Sequence, residues 1–269
     1  MNTRHTLLNA SALALLLAGF PAMAADDELL DAPEVTISAA QTPVEGFYLR
    51  ADLGSAPWSH EGDPSLSISA PAPAGLAATR FDDARFGKPL SGALGVGYQF
   101  SDMLRADFTA DYFQNDFDGS GESTFACGGA VAGSTCGLST KADYSAVGLM
   151  ANAYVDLGTL AGFTPYIGAG AGSTRVSFDD VSVTGACVSG VCSGGPSTTY
   201  DYQGESSWRF TYAIMAGVSY DVSERLKLDI GYRYSDVAGG DVFKGADARL
   251  TDDGLRRHEF RAGLRLAIW

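Results

Sequence analysis

The feature that most limits this chain is a period-two alternation in which ionised side chains occupy a single phase. From Leu104 the apolar phase continues through Ala106, Phe108, Ala110 and Tyr112, while Arg105, Asp107, Thr109 and Asp111 fill the other. Leu226, Leu228, Ile230, Tyr232 and Tyr234 alternate with Lys227, Asp229, Gly231 and Arg233; Phe260, Ala262, Leu264, Leu266 and Ile268 alternate with Glu259, Arg261, Gly263 and Arg265. Successive side chains on a strand point to opposite faces, so each segment is a strand with one greasy and one polar face.

Eight such strands are predicted, near 46–53, 90–100, 103–113, 143–157, 164–173, 207–221, 225–235 and 256–268. Their connections alternate long and short. The long ones lie near 54–89, 114–142, 174–206 and 236–255, and the short ones at Ser101-Asp102, 158–163 and Val222-Ser223-Glu224. An up-and-down barrel with both termini on one side puts all four long connections at the opposite end, the asymmetry of transmembrane barrels. The Ser65–Ser69 stretch leaves ten strands open as an alternative.

Which face is wet follows from the charges. In seven strands, their first residues apart, the phase with the large apolar residues carries no Asp, Glu, Lys or Arg; the strand near 164–173 is uncharged in both phases, so its facing is open. The other phase holds Arg50, Asp52, Arg105, Asp107, Asp111, Asp143, Asp156, Arg209, Asp221, Lys227, Asp229, Arg233, Glu259, Arg261 and Arg265. A basic side chain facing lipid at the midplane costs about 2–4 kcal/mol, so this phase is assigned to the lumen. Acids and bases are nearly balanced there and can pair, and an eight-stranded interior is just wide enough to be packed by side chains. Small residues at Ser91, Ala93, Gly95 and Gly97 leave room for the long arms. Tyr112, Trp208, Tyr220 and Tyr234, near strand ends in the lipid phase, are expected in the interfacial girdles.

No run of 18 or more apolar residues provides a spanning helix. A formal net charge of −14 argues against nucleic acid as a partner. The first residues have the form of a secretory signal: Arg4, a short apolar core around Leu13–Phe20, and Ala22-Met23-Ala24 as a cleavage site. The expected organisation is a signal peptide over 1–24, a flexible lead-in over 25–44 and a barrel over 45–269. For an exported chain, four cysteines in the outer loops suggest disulfides, and proximity favours Cys127–Cys136 and Cys187–Cys192.

Other features carry less chemistry. Gly168-Ala169-Gly170-Ala171-Gly172 is followed by β-like Ser173-Thr174-Arg175-Val176, so it reads as a small-residue strand and not a phosphate loop. Asp82-Asp83, Asp179-Asp180 and Asp252-Asp253 lack a spaced ligand motif and read as solvated loop tips. Beyond the signal only His60 and His258 remain, and Phe260, two residues after His258, offers neither nucleophile nor orienter. No catalytic residue, metal or cofactor is expected.

Several segments carry a family resemblance: Gly46-Phe47-Tyr48-Leu49-Arg50-Ala51-Asp52-Leu53-Gly54, Gly95-Val96-Gly97-Tyr98-Gln99-Phe100, Thr164-Pro165-Tyr166-Ile167 with the glycines after it, Leu228 to Tyr234, and His258 to Arg265. With these, the chain resembles the small porin-family outer-membrane β-barrel proteins, related to the OmpA-like and Opa-like eight-stranded barrels and especially to the α-proteobacterial surface-antigen group. The resemblance spans about 45–269. It implies a Gram-negative outer-membrane location, a non-enzymatic role in envelope integrity and surface contact, and a terminal aromatic, here Trp269, read by the barrel-assembly machinery. Trp269 follows Ile268 directly and so breaks the alternation of the last strand.

The expected fold is therefore all-β, an eight-stranded antiparallel up-and-down transmembrane barrel with long extracellular loops. The expected partners are outer-membrane lipid and lipopolysaccharide, the assembly machinery and periplasmic chaperones during biogenesis, and a surface ligand of unknown identity, with the barrel itself a monomer. The alternative function is a small porin-like channel for passive solute diffusion. A soluble periplasmic binding barrel, with the apolar phase lining a cavity, is the remaining competitor.

Overall fold

Antiparallel strands make up the structure, a computed structural model that describes residues 45–61, 65–69, 76–123, 134–190, 197–246 and 248–268. The expected signal peptide and lead-in, Cys127, Cys192 and Trp269 lie outside the described residues. The strands are β1 (Gly46–Glu61), β2 (Ser65–Ser69), β3 (Leu76–Arg80), β4 (Asp83–Arg85), β5 (Leu90–Gln99), β6 (Leu104–Ser123), β7 (Thr135–Asp156), β8 (Phe163–Phe178), β9 (Val181–Ser189), β10 (Thr198–Tyr202), β11 (Ser206–Asp221), β12 (Leu226–Lys244) and β13 (Ala248–Ala267).

Eight of them close a ring in the order β1, β5, β6, β7, β8, β11, β12, β13 and back to β1, every pair antiparallel. Ladder partners traced from Arg50 pass through Gly95, Thr109, Met150, Gly172, Thr211, Val237 and Leu255 and return to Glu61, eleven residues further along the same strand. This stagger is the shear that a closed, tilted barrel requires, a climb of about 1.4 residues per strand.

The strand count differs from the expected eight because the regions read as long loops are themselves largely strand. β6 and β7 run far past the expected ends, β12 and β13 do the same, and five short strands stand outside the ring. β2 is the Ser65–Ser69 stretch; it pairs with β13 and with β3 and does not widen the ring. β9 and β10 extend the sheet from β7, and β4 pairs with β6.

The reason is a polarity inversion without a change of phase. Along β6 the inward residues run Arg105, Asp107, Thr109 and Asp111, then Phe113 and Phe117; the outward ones run Phe108, Ala110 and Tyr112, then Gln114, Asp116 and Asp118. Within the membrane, hydrocarbon lies outside and the polar groups turn in. Beyond it, water lies outside and the greasy groups turn in. Asp143, assigned to the lumen together with Asp156, has the opposite parity to it and lies beyond the belt: Tyr144 takes the inward position, and Asp143 is exposed on the outer surface.

The outer tier thus has its own apolar core. Phe86, on the segment between β4 and β5, packs against Phe117 and Tyr144 at ring separations of 4.8 and 5.2 Å, and the Tyr144 hydroxyl donates to the Phe86 carbonyl at 3.0 Å. Phe178, Val242, Phe243, Leu250 and Leu66 complete the cluster. At the opposite end the chain turns tightly. Ser101 Oγ accepts from Leu104 N at 3.2 Å, Ser223 Oγ accepts from Leu226 N at 3.1 Å, and Gly162 supplies the positive φ of the third turn.

Candidate functional site: the charged lumen and the outer rim

Inside the belt the predicted charged residues meet as ion pairs. At the inner end Arg105 Nε lies 3.1 Å from Asp156, and Arg265 Nε lies 2.7 Å from Asp229, whose other oxygen accepts from Ser219. In the next layer Arg50 bonds Asp52 at 2.7 Å and Asp107 at 2.6 Å, and also donates to the Tyr154 hydroxyl. Higher up, Asp111 holds Arg233 at 2.9 Å and Arg261 at 2.5 Å, and Arg261 continues to Glu259 at 2.9 Å. Arg209 pairs with Asp252 at 2.8 Å in the outer tier, and Lys227 meets Asp221 at 2.5 Å, half-exposed at the inner mouth. Ser91 also bonds Glu259.

Parity alone identified this set incompletely. Arg257 lies in the lumen 3.2 Å from Glu259, with its guanidinium 3.7 Å from the Phe113 ring centre. Its position two residues before Glu259 was the available signal. Three tyrosines also point inward. Tyr48 shares a phase with Arg50, and Tyr154 shares one with Asp156. Tyr166, in β8, fixes the facing that sequence left open, because it is buried while Ile167 is half-exposed to lipid.

These rings do electrostatic work. Arg105 is fully buried, and only its Nε finds a carboxylate; its two terminal nitrogens have no hydrogen-bond partner. The guanidinium instead stacks on Tyr154 at 3.9 Å and faces Tyr166 at 4.8 Å, a cation–π arrangement that gains strength where water is excluded. The glycines of β8 make it sterically possible. A Cβ on Gly168 would strike the Tyr154 ring, and one on Gly231 of β12 would strike the Tyr166 hydroxyl.

The lumen so filled retains a void of about 20 Å³, bordered by Arg50, Asp52, Tyr154, Tyr166, Asp229 and Arg233 among others. That is room for about one water molecule.

Asp252, expected at a solvated loop tip, is buried because it partners Arg209; Asp253 beside it is exposed, as are Asp82, Asp83, Asp179 and Asp180. His258 is half-buried between Tyr232 and Tyr234, and its Nδ1 is 2.5 Å from the Tyr232 hydroxyl. Cys136 and Cys187 are opposite each other in the β7–β9 ladder and both are disulfide-bonded. With Cys127 and Cys192 outside the described residues, the expected pairing is not described.

On the outward face, Tyr112 and Tyr234 share a level with Tyr212 once the barrel stagger is allowed for, and Tyr220 sits about eight residues lower, 4.7 Å from Phe163. The two aromatic levels are separated by roughly 20 Å at a rise of about 3.3 Å per residue and a tilt near 40°. Trp208 stands beyond the outer level, 56% exposed. Leu94, Phe108, Ile214, Ile230 and Leu264, all facing outward and exposed, lie between the two levels.

Residues 12–266 match the family described as outer membrane protein beta-barrel domain. An uncharacterised protein of Brucella abortus (strain 2308) is 34% identical over 280 residues, covering 93% of this chain and 94% of its own. A Rickettsia bellii (strain OSU 85-389) protein provisionally named an adhesin is 25% identical over 237 residues, covering 86% and 92%. Among solved structures, Neisserial surface protein A (NspA) has 22% identity and a TM-score of 0.46 over 83% of this chain and 97% of its own. Outer membrane protein OprG from Pseudomonas aeruginosa has 15% identity and a TM-score of 0.47 over 82% and 97%. The chain belongs to the outer membrane protein β-barrel domain family and is integral to the outer membrane.

Proposed function

We propose that this protein is a closed, non-catalytic anchor that contributes to envelope integrity and carries an interaction surface on its outer tier. The observation that carries this reading is the paired lumen. Its guanidinium and carboxylate groups pair across the interior, and the void they border, about 20 Å³, is room for about one water molecule. The apolar cluster around Phe86 closes the outer half above it. An aqueous channel of the porin kind needs a far wider barrel.

The outer tier would supply the contact surface. Its strands stand clear of the lipid, and its exterior is acidic, with Asp116, Asp118, Asp143, Asp179, Asp180 and Asp201 exposed. The working unit is a monomer, with Trp269 as the signal to the assembly machinery, periplasmic chaperones as escorts, and Cys127–Cys136 and Cys187–Cys192 closing the loop tips.

Planar-bilayer recording of purified protein tests the closed reading. The expected result is a quiet baseline with only rare, irregular events. Steady, reproducible open channels would overturn it in favour of a small pore.

A further inference from the structure

The stagger of the ladders lets heights on different strands be compared. Allowing for the climb of about 1.4 residues per strand, three cations stand at one height, about eight to nine residues above Arg50. They are Arg175 on β8, Arg256 on β13 and Lys88 just before β5. All three side chains are exposed and face outward. They sit about three residues beyond the level of Tyr112, Tyr212 and Tyr234, where the apolar belt ends.

On an acidic chain this ordering is specific. Going outward along each strand, the first charge beyond the belt is cationic on β8 and β13 and before β5; the acids of β6 and β7, Asp116 and Asp143, lie higher. On β12 the first charge is Asp236, and it lies 3.4 Å from Arg256 and also accepts from the Tyr212 hydroxyl at 3.2 Å. Arg175 has no ion-pair partner among the described residues, and its ladder partner on β11 is the exposed Trp208. A cation next to an amphipathic ring just above a hydrocarbon belt is placed where lipid headgroups begin.

We propose that Lys88, Arg175 and Arg256 form a cationic collar that binds the phosphate groups of phosphorylated lipids in the outer leaflet. The three positions are spread around the circumference, so each takes a separate headgroup. Arg175 and Arg256 supply forked N–H donors suited to phosphate oxygens, and Lys88 adds a point charge. The acidic tier above repels the same headgroups, which fixes the depth at which the barrel rides.

The test is the urea unfolding midpoint of the full barrel in phosphatidylcholine vesicles, with and without added lipid A. Lipid A is expected to raise the midpoint, and the triple variant K88Q/R175Q/R256Q should lose more than half of that rise while matching the parent in phosphatidylcholine alone. The R175K/R256K variant, which keeps the charge, should retain most of it. An equal rise in the triple variant, or an equal rise with phosphate-stripped lipid A, would overturn the proposal. A rise produced by inorganic phosphate in plain phosphatidylcholine vesicles would also overturn it, because the ligand would then be the free anion. The collar is independent of the lumen: a conducting barrel would refute the closed reading and leave this test unaffected.

Discussion

Arg209 of β11 reaches across the edge of β12 to bind Asp252 of β13, with Nη1 at 2.8 Å from both carboxylate oxygens and Nη2 at 3.1 Å from the Asp241 carbonyl. The span matters because the β11–β12 ladder begins only at Thr211, so Ser206–Phe210 has no β12 partner. Arg209 bridges that seam with its side chain where backbone bonds stop.

Arg209→Ala should therefore loosen the outer tier. It strands a buried carboxylate, which typically costs about 3–5 kcal/mol. Limited proteolysis should find new cuts in 198–210 and 238–252, while the unheated barrel keeps its gel mobility. Unchanged protection would mean that backbone contacts alone close the seam.

A substitution at Phe86 probes the same tier from within. Its ring fills the space between Phe117, Tyr144 and Phe178, so Phe86→Ala should cost about 3–5 kcal/mol. The cost should be local. Hydrogen exchange should rise in β4 and in the outer halves of β6 and β7 and stay low at 104–111. A uniform rise would show that the two tiers unfold as one unit.

The barrel itself was legible because its pattern is strictly physical: hydrocarbon tolerates no ionised side chain, so parity sorts the residues of β5, β6 and β13 into two faces. The outer tier was not. Once water replaces lipid, inward Phe113 and Phe117 and outward Asp116 and Asp118 invert the code, and a reader tracking which phase is charged sees the strand end. Arg257 was passed over because it falls at that inversion. Tyr154 and Tyr166 were missed for another reason: aromatic rings suit both faces, and only their packing on Arg105 tells which one they occupy.

The inversion can be tested on one face of one strand. Phe108 and Gln114 both point outward on β6, six residues apart, the first in the belt and the second beyond Tyr112. Phe108→Arg should cost about 2–4 kcal/mol near the midplane and lower the folding yield into vesicles. Gln114→Arg should fold like the parent. Equal yields would remove the boundary drawn at Tyr112.

The floor of the lumen depends on a glycine. Gly168 lies beneath the Tyr154 ring that carries the Arg105 guanidinium. Gly168→Val would force the ring aside, break the stack, and leave a buried cation with Asp156 and the more distant Tyr166 ring. Overpacking of this kind costs about 1–3 kcal/mol, and loss of the cation–π contact adds about 1–2 kcal/mol where water is excluded. The variant should unfold at lower urea in the same vesicles, whereas Ala169→Val, one residue along and facing lipid, should leave the midpoint unchanged. If both substitutions behave alike, the inward facing of the β8 glycines is wrong, and with it the account of how a full-size guanidinium fits inside so narrow a barrel.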